Sequence, residues 1–272
     1  MFPEQMFRQY LQAHLREFQD EHGLWKLKGF IDLAHRVYSL NTDTKVISKA
    51  LELMLAPFLF EFAKGHGYTI HSAPEQNFYP DYSLVAGQER IALDLKTTYR
   101  LPTNPTRVSG FTLGAFTGYF RSRGSNKNVG FPYGEYAKHY VVGVIYSKTT
   151  AAIEPTIYAL EQLHEIPTPI FDLEVIVAEK WRVAGDMPGS GNTKNIGSIK
   201  TIEGLRHESG PFMALGDEGA SVFDAYWSEY MTSDMARAAQ LPKPLFKNLR
   251  QYLAYRNRPD LLARLEQAGL DD

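Results

Sequence analysis

The stretch "YPDYSLVAGQERIALDLK", Tyr79–Lys96, decides how the chain folds, because it reads as two apolar strands around a turn yet carries Asp81, Asp94 and Lys96. Glycine at the first central position of Gly87-Gln88 suits a type II′ hairpin turn. From that turn Ala86 faces Glu89, Leu84 faces Ile91 and Asp81 faces Asp94. Facing residues project from the same side of a sheet, with Cβ atoms about 5 Å apart. The two-residue period of a strand puts Lys96 on the Asp94 side and assigns Ile91, Leu93 and Leu95 to the other, packed inward. Three charges therefore converge on one face, unless Asp94 and Lys96 are simply neighbours on a wet surface.

Two ionised carboxylates held opposite each other repel, and such a pair persists when a cation or a proton sits between them. Oxygen ligands alone favour a hard ion such as Mg²⁺, which binds through one or two carboxylates plus substrate phosphate. Lys96 would then stand beside the attacking water. Phosphodiester hydrolysis needs this combination, a metal that acidifies water and a fixed cation near the attacking oxygen.

The rest of the chain bounds this reading. Its 272 residues exceed the usual single-domain size, but α/β folds of this length often form one unit, so a single elaborated domain is expected over residues 1–272. With 44% hydrophobic and 22% charged residues, disordered and low-complexity classes are excluded. The absence of cysteine rules out disulfides and thiolate metal sites and fits a cytoplasmic protein. At the N-terminus the spacing of Phe2, Met6, Tyr10, Leu11, Leu15 and Phe18 predicts an amphipathic helix rather than a signal peptide. No apolar run reaches the roughly 18 residues of a membrane span, so no membrane partner is expected. Net charge is -2, yet from Lys96 to Lys148 eight Lys/Arg stand against Glu135 alone. These form an electropositive wall, or are solvated side chains that never converge.

Along the chain, "GFIDLAHRVYSL" reads as a short hairpin with Ile31 and Leu33 in phase and Val37 on the return arm. A helix follows, capped by Thr42 or Asp43, with a stripe of Val46, Ala50, Leu53 and Met54, a bend or break at Pro57 and a stop at Gly65. "YVVGVIY" and "FDLEVIVAEKW" are buried strands, "EPTIYALEQLHEIP" looks helical, and "AGDMPGSGNTKNIGS" is a long polar loop. "VFDAYWSEYM", "KPLFKNLRQYLAY" and "PDLLARLEQAG" show helical periodicity. Strands interspersed with helices predict an α/β fold with a mixed central sheet and helices on both faces.

Pro80, Asp81, Asp94, Leu95 and Lys96 spell a PD…(D/E)xK pattern, accompanied in order by "DTKVIS" with Glu52 downstream, "HGY", "DLKTTY", "FTLG", "AGD", "GSGNT" and "NIGS". Together these strings resemble the EcoRV-type restriction endonucleases of the PD-(D/E)xK nuclease superfamily. The likeness runs from the first helix to about Ser198, continues weakly through "YWSEYMTSD", and is not visible in the last 35 or so residues. It implies a restriction-endonuclease-like fold with a catalytic and DNA-recognition core over 43–200 and a helical C-terminal tail over 222–272. It also implies that Asp81 and Asp94 bind Mg²⁺, that Lys96 is the catalytic lysine, and that Glu52 is a further acidic residue near the metal. Without the resemblance Glu52 reads as a solvated helix position paired with Lys49 or another neighbour.

The resemblance further assigns base reading to Gly189, Ser190, Gly191, Asn192, Thr193 and Asn195, with Lys194 in place of a threonine as an added phosphate contact. Chemically this suits a DNA reader, because glycines let the backbone approach base edges and asparagine bonds adenine bidentately. A nucleotide-binding reading is poor, since no Gly-Lys-Ser/Thr follows these glycines. Gln76 and Asn77 match a loop that reaches the minor groove, and Thr44, Lys45 and Lys127 match positions near the DNA backbone. The implied protein is a homodimeric, Mg²⁺-dependent type II restriction endonuclease cutting double-stranded DNA at a GATATC-like palindrome to blunt ends. A palindrome calls for a two-fold symmetric reader. Two rivals use the same scaffold, a structure-selective or repair nuclease and an inactive DNA-binding protein; the second would normally have lost one of Asp81, Asp94 or Lys96.

Overall fold

A computed structural model describes residues 1–150, 153–189 and 194–269. Its strands are β1 (Gly29–Ile31), β2 (Arg36–Ser39), β3 (Thr69–Ser72), β4 (Tyr82–Ala86), β5 (Glu89–Leu101), β6 (Asn104–Val108), β7 (Thr112–Ala115), β8 (Lys138–Lys148), β9 (Ile157–Ala159), β10 (Ile170–Glu179), β11 (Ala184–Pro188) and β12 (Asn195–Ser198). Its helices are α1 (Glu4–Glu17), α2 (Thr44–Gly65), α3 (Lys180–Val183), α4 (Ile202–Arg206), α5 (Gly219–Glu229), α6 (Ser233–Ala238), α7 (Leu249–Tyr255) and α8 (Pro259–Gln267). The main sheet runs β10-β8-β5-β4-β3 with β6 on β5, and two small sheets run β1-β2-β9 and β11-β12-β7. This is the expected α/β class, a mixed sheet flanked by helices with a helical C-terminal region.

Two compact units partition the chain. The first comprises Met1–Ile70, Leu95–Ser109 and Val142–Val177. Asp43 caps α2, accepting hydrogen bonds from the amides of Lys45 and Val46. The helix closes with Gly67 at φ +76°, where Tyr68 N bonds Ala63 O and Gly67 N bonds Lys64 O, a left-handed stop that only glycine adopts without strain. The buried face of α2 is Ile47, Ala50, Leu51, Leu55, Leu59 and Phe62, one residue away from the expected stripe; Val46 and Leu53 face outward. Both registers have helical spacing, and the one presenting aromatic Phe62 to Phe7 of α1, at 4.8 Å between ring centres, wins. Pro57 neither breaks nor splits the helix. In α1 the buried residues are Phe7, Leu11 and Leu15, while Met6 is exposed.

Two further expectations change in this unit. The β1–β2 hairpin forms, with Ile31 opposite Val37, but Leu33 lies fully exposed at its tip. Asp32 organises that tip: hydrogen bonds, the Arg36 amide foremost, hold its carboxyl down at about 2. Residues 157–159 of the segment expected to be helical instead form β9, because pairing with β2 supplies a ladder that the short stretch between Pro155 and Pro167 could not replace as a helix.

The second unit comprises His71–Asp94, Gly110–Val141 and Ala178–Asp272. The hairpin β4–β5 has the expected register, from Ala86 opposite Glu89 to Tyr82 opposite Leu93, around Gly87 at φ +60°. Residues 184–198, read as one long loop, contain the paired strands β11 and β12. In the second expected tail helix, "KPLFKNLRQYLAY", only Leu249–Tyr255 is helical, started by Asn248, whose side chain accepts the Gln251 amide. Three of the eight cations between Lys96 and Lys148 pair with acids, Arg100 with Glu174, Arg123 with Asp224 and Lys138 with Glu179.

Candidate functional site

Continuing the β4–β5 register by one step brings Asp81 opposite Asp94. Asp94 is only 3% exposed, and Ile91, Ala92 and Leu93 are fully buried, so both faces of this strand segment are covered and the wet-surface alternative falls. Leu95, expected inside with Ile91 and Leu93, is half-buried. Asp81 is anchored through its carbonyl, which accepts the Ala73 amide at 2.8 Å.

An aromatic stack stands behind the two carboxylates. The Tyr119 and Tyr79 rings lie 5.0 Å apart, Tyr79 Oη and His139 Nδ1 are 2.9 Å apart, and His139 stacks on Tyr133 at 3.9 Å. The buried ammonium of Lys180 sits 4.0 Å from the centre of the Tyr79 ring, a cation–π contact. Burial and then the charge of Asp94, with a further contribution from Asp81, raise the Tyr119 hydroxyl above its ordinary range. Both carboxylates thus act on one phenol. Burial, followed by Lys180 and Arg123, pushes His139 well below the usual imidazole range and keeps the ring neutral. These five side chains were missed in the sequence, where no spacing links residues 79, 119, 133, 139 and 180.

Lys96 follows Asp94 by two residues on the continuous strand β5, and its Nζ donates to Leu95 O at 3.0 Å. Glu52 on α2 and Lys96 line one narrow cavity together with Leu51, Leu55, Val142 and Val144. The Glu52 carboxylate also accepts a 2.7 Å hydrogen bond from Lys49, the helix-surface pairing.

Among the described residues, no three His, Asp or Glu side chains cluster as a ready metal cage. The paired carboxylates supply hard oxygen donors of opposite register, one of them deeply buried, which fits a Mg²⁺-like ion that takes its remaining ligands from water and phosphate.

Thr44 and Lys45 are exposed in the first turn of α2, Gln76 and Asn77 in the turn after β3, and Lys127 in the loop after residue 120. Gly189 and Asn195 close the base of the candidate reading loop through a Gly189 N to Asn195 O bond of 3.0 Å, and Lys194 is exposed beside them. Ser190, Gly191, Asn192 and Thr193 lie outside the described residues.

A family model described as restriction endonuclease EcoRV matches residues 21–257. The chain is 34% identical to the type II restriction enzyme EcoRV of Escherichia coli, over 86% of this chain and 91% of that protein. The matched residues extend through α7, beyond the quoted strings.

Proposed function

Because the chain belongs to the EcoRV restriction endonuclease family and is a type II restriction endonuclease, a hydrolase of DNA, we propose that it cuts a GATATC-like palindrome to blunt ends bearing 5′-phosphate and 3′-hydroxyl. The observation that supports this reading is the hairpin register, whose last pair Tyr82–Leu93 extended by one step sets Asp81 opposite Asp94, with Lys96 on the same strand as Asp94. Asp81 and Asp94 would hold Mg²⁺, which when bound supplies Lewis-acid charge for the phosphate and acidifies water. Asp94, buried and fixed in the sheet, sets the position of the scissile phosphate. Lys96 orients the attacking water or neutralises the charge that develops on the phosphate oxygens. Glu52, beside Lys96, modulates that cation's field. Thr44, Lys45 and Lys127 contact the DNA backbone, Gln76 and Asn77 the minor groove, and residues 189–195 the major-groove base edges.

A homodimer completes the reader of a palindrome. In support, Phe30, Ile31, Leu33, Tyr38 and Ile157 leave apolar surface exposed on the elements of the β1-β2-β9 sheet, more than a solvated sheet edge requires. Digestion of a library of randomised duplexes with Mg²⁺, followed by sequencing of both strands' ends, tests the proposal. One palindrome with flush ends supports it; staggered ends or cuts without a common sequence reject it.

A further inference from the structure

The stem of the candidate reading loop is irregular. Between the pairs Ala184–Ser198 and Pro188–Ile196, three residues of β11, Gly185, Asp186 and Met187, stand against Gly197 alone. Such a bulge interrupts the ladder and re-aims the strand, so its direction depends on contacts from elsewhere. Those contacts come from the C-terminal helices. Tyr226 Oη on α5 donates to Asp186 O at 2.5 Å and lies 3.4 Å from Lys247 O. The Leu249 amide at the start of α7 donates to Asp186 Oδ2 at 2.9 Å. Tyr226 is itself fully buried among Phe212, Phe246 and Tyr252, with ring centres 5.5, 5.2 and 5.3 Å away, so its hydroxyl has little freedom to follow a moving strand.

The opposite side of the stem is equally tight. A Cβ on Gly197 would meet Met187 O at 2.7 Å and Gly189 N at 2.9 Å. Downstream, Phe116 N bonds Lys194 O at 2.9 Å.

We propose that the C-terminal helices are a specificity element, with Tyr226 and the Leu249 amide fixing Asp186 and thereby the angle at which the base-reading loop meets the major groove. The inference rests on residues 189–195 being that loop. Base-edge hydrogen bonds tolerate misplacement of only about 0.5 Å, whereas phosphate contacts carry no sequence information and survive a tilted stem. Asp186 and Tyr226 are therefore positioning residues whose loss lowers discrimination between sites while non-specific DNA affinity is unchanged.

The test uses the full-length enzyme with Tyr226→Phe, which keeps the buried ring, alongside Asp186→Ala and the loop variant Asn195→Ala. The readouts are kcat/KM on duplexes bearing the preferred site and its single-base variants, affinity for a duplex without the site, and melting temperature. Tyr226→Phe should lower the ratio of preferred to altered-site cleavage about tenfold, the scale of one impaired base contact, with non-specific affinity unchanged. A folded Tyr226→Phe that keeps its discrimination while Asn195→Ala loses it overturns the clasp and leaves the loop reading intact. Equal loss on all sites also overturns it, as a purely structural role would do. Unchanged discrimination in Asn195→Ala overturns the loop reading and this inference together. Should Asp186→Ala fail to fold, Tyr226→Phe decides alone.

Discussion

Glu52 and Lys96 line the same narrow cavity, one from helix α2 and one from strand β5. The carboxylate of Glu52 accepts a hydrogen bond from Lys49, and the Lys96 ammonium donates to Leu95 O at 3.0 Å. Lys96→Met is accordingly expected to slow single-turnover cleavage by about 10²–10³-fold, the scale of losing one preorganised charge contact, with site binding retained in gel shifts. Glu52→Gln is expected to cost about tenfold by the same reasoning. Equal losses in the two variants would make Glu52 a primary catalytic group rather than a modulator.

The exposed apolar residues of β1, β2 and β9 predict that Ile31→Glu and Ile157→Glu weaken self-association. Sedimentation at micromolar concentration should give a dimer for the parent and a monomer for the variants, with cleavage of both strands lost together. A parent that sediments as a monomer both alone and on its DNA site contradicts the dimer.

His139 links the aromatic stack to pH. Its folded pKa lies well below that of an unfolded histidine, about 6.5, because burial and the neighbouring Lys180 and Arg123 disfavour the charged ring. Below pH 6.5 the unfolded chain therefore binds more protons than the folded one. The stability owed to neutral His139 is fully present above pH 6.5 and declines as pH falls toward the folded value, by up to about 1.4 kcal/mol per pH unit. Urea unfolding at pH 7.5, 6.5 and 5.5 should show a shallower acid-side fall for His139→Gln than for the parent; parallel curves would contradict it.

The hairpin was legible in the sequence because two local rules fix it, a glycine that adopts positive φ and a side-chain period of two, and both operate within 18 residues. The resemblance carried the family beyond that, while Glu52 could not be separated from an ordinary helix-surface partner of Lys49 by spacing alone. What stayed hidden is long-range. Residues 157–159 become a strand only because β2 offers an edge, and the shell of Tyr79, Tyr119, His139 and Lys180 assembles from segments up to about 100 residues apart. The helical register of α2 was ambiguous for the same reason, since its partner Phe7 lies in another helix.

The most direct measurement is plasmid digestion by the parent and Asp94→Ala, each with and without Mg²⁺, followed by sequencing of the product ends. The parent should give discrete blunt fragments at one palindrome only when Mg²⁺ is present, and Asp94→Ala, folded by circular dichroism, should be slower by at least about 10³-fold, in line with losing a metal-anchoring charge. Full cleavage by folded Asp94→Ala, or an uncut plasmid at adequate concentrations of the parent, would contradict the paired carboxylates as the catalytic centre.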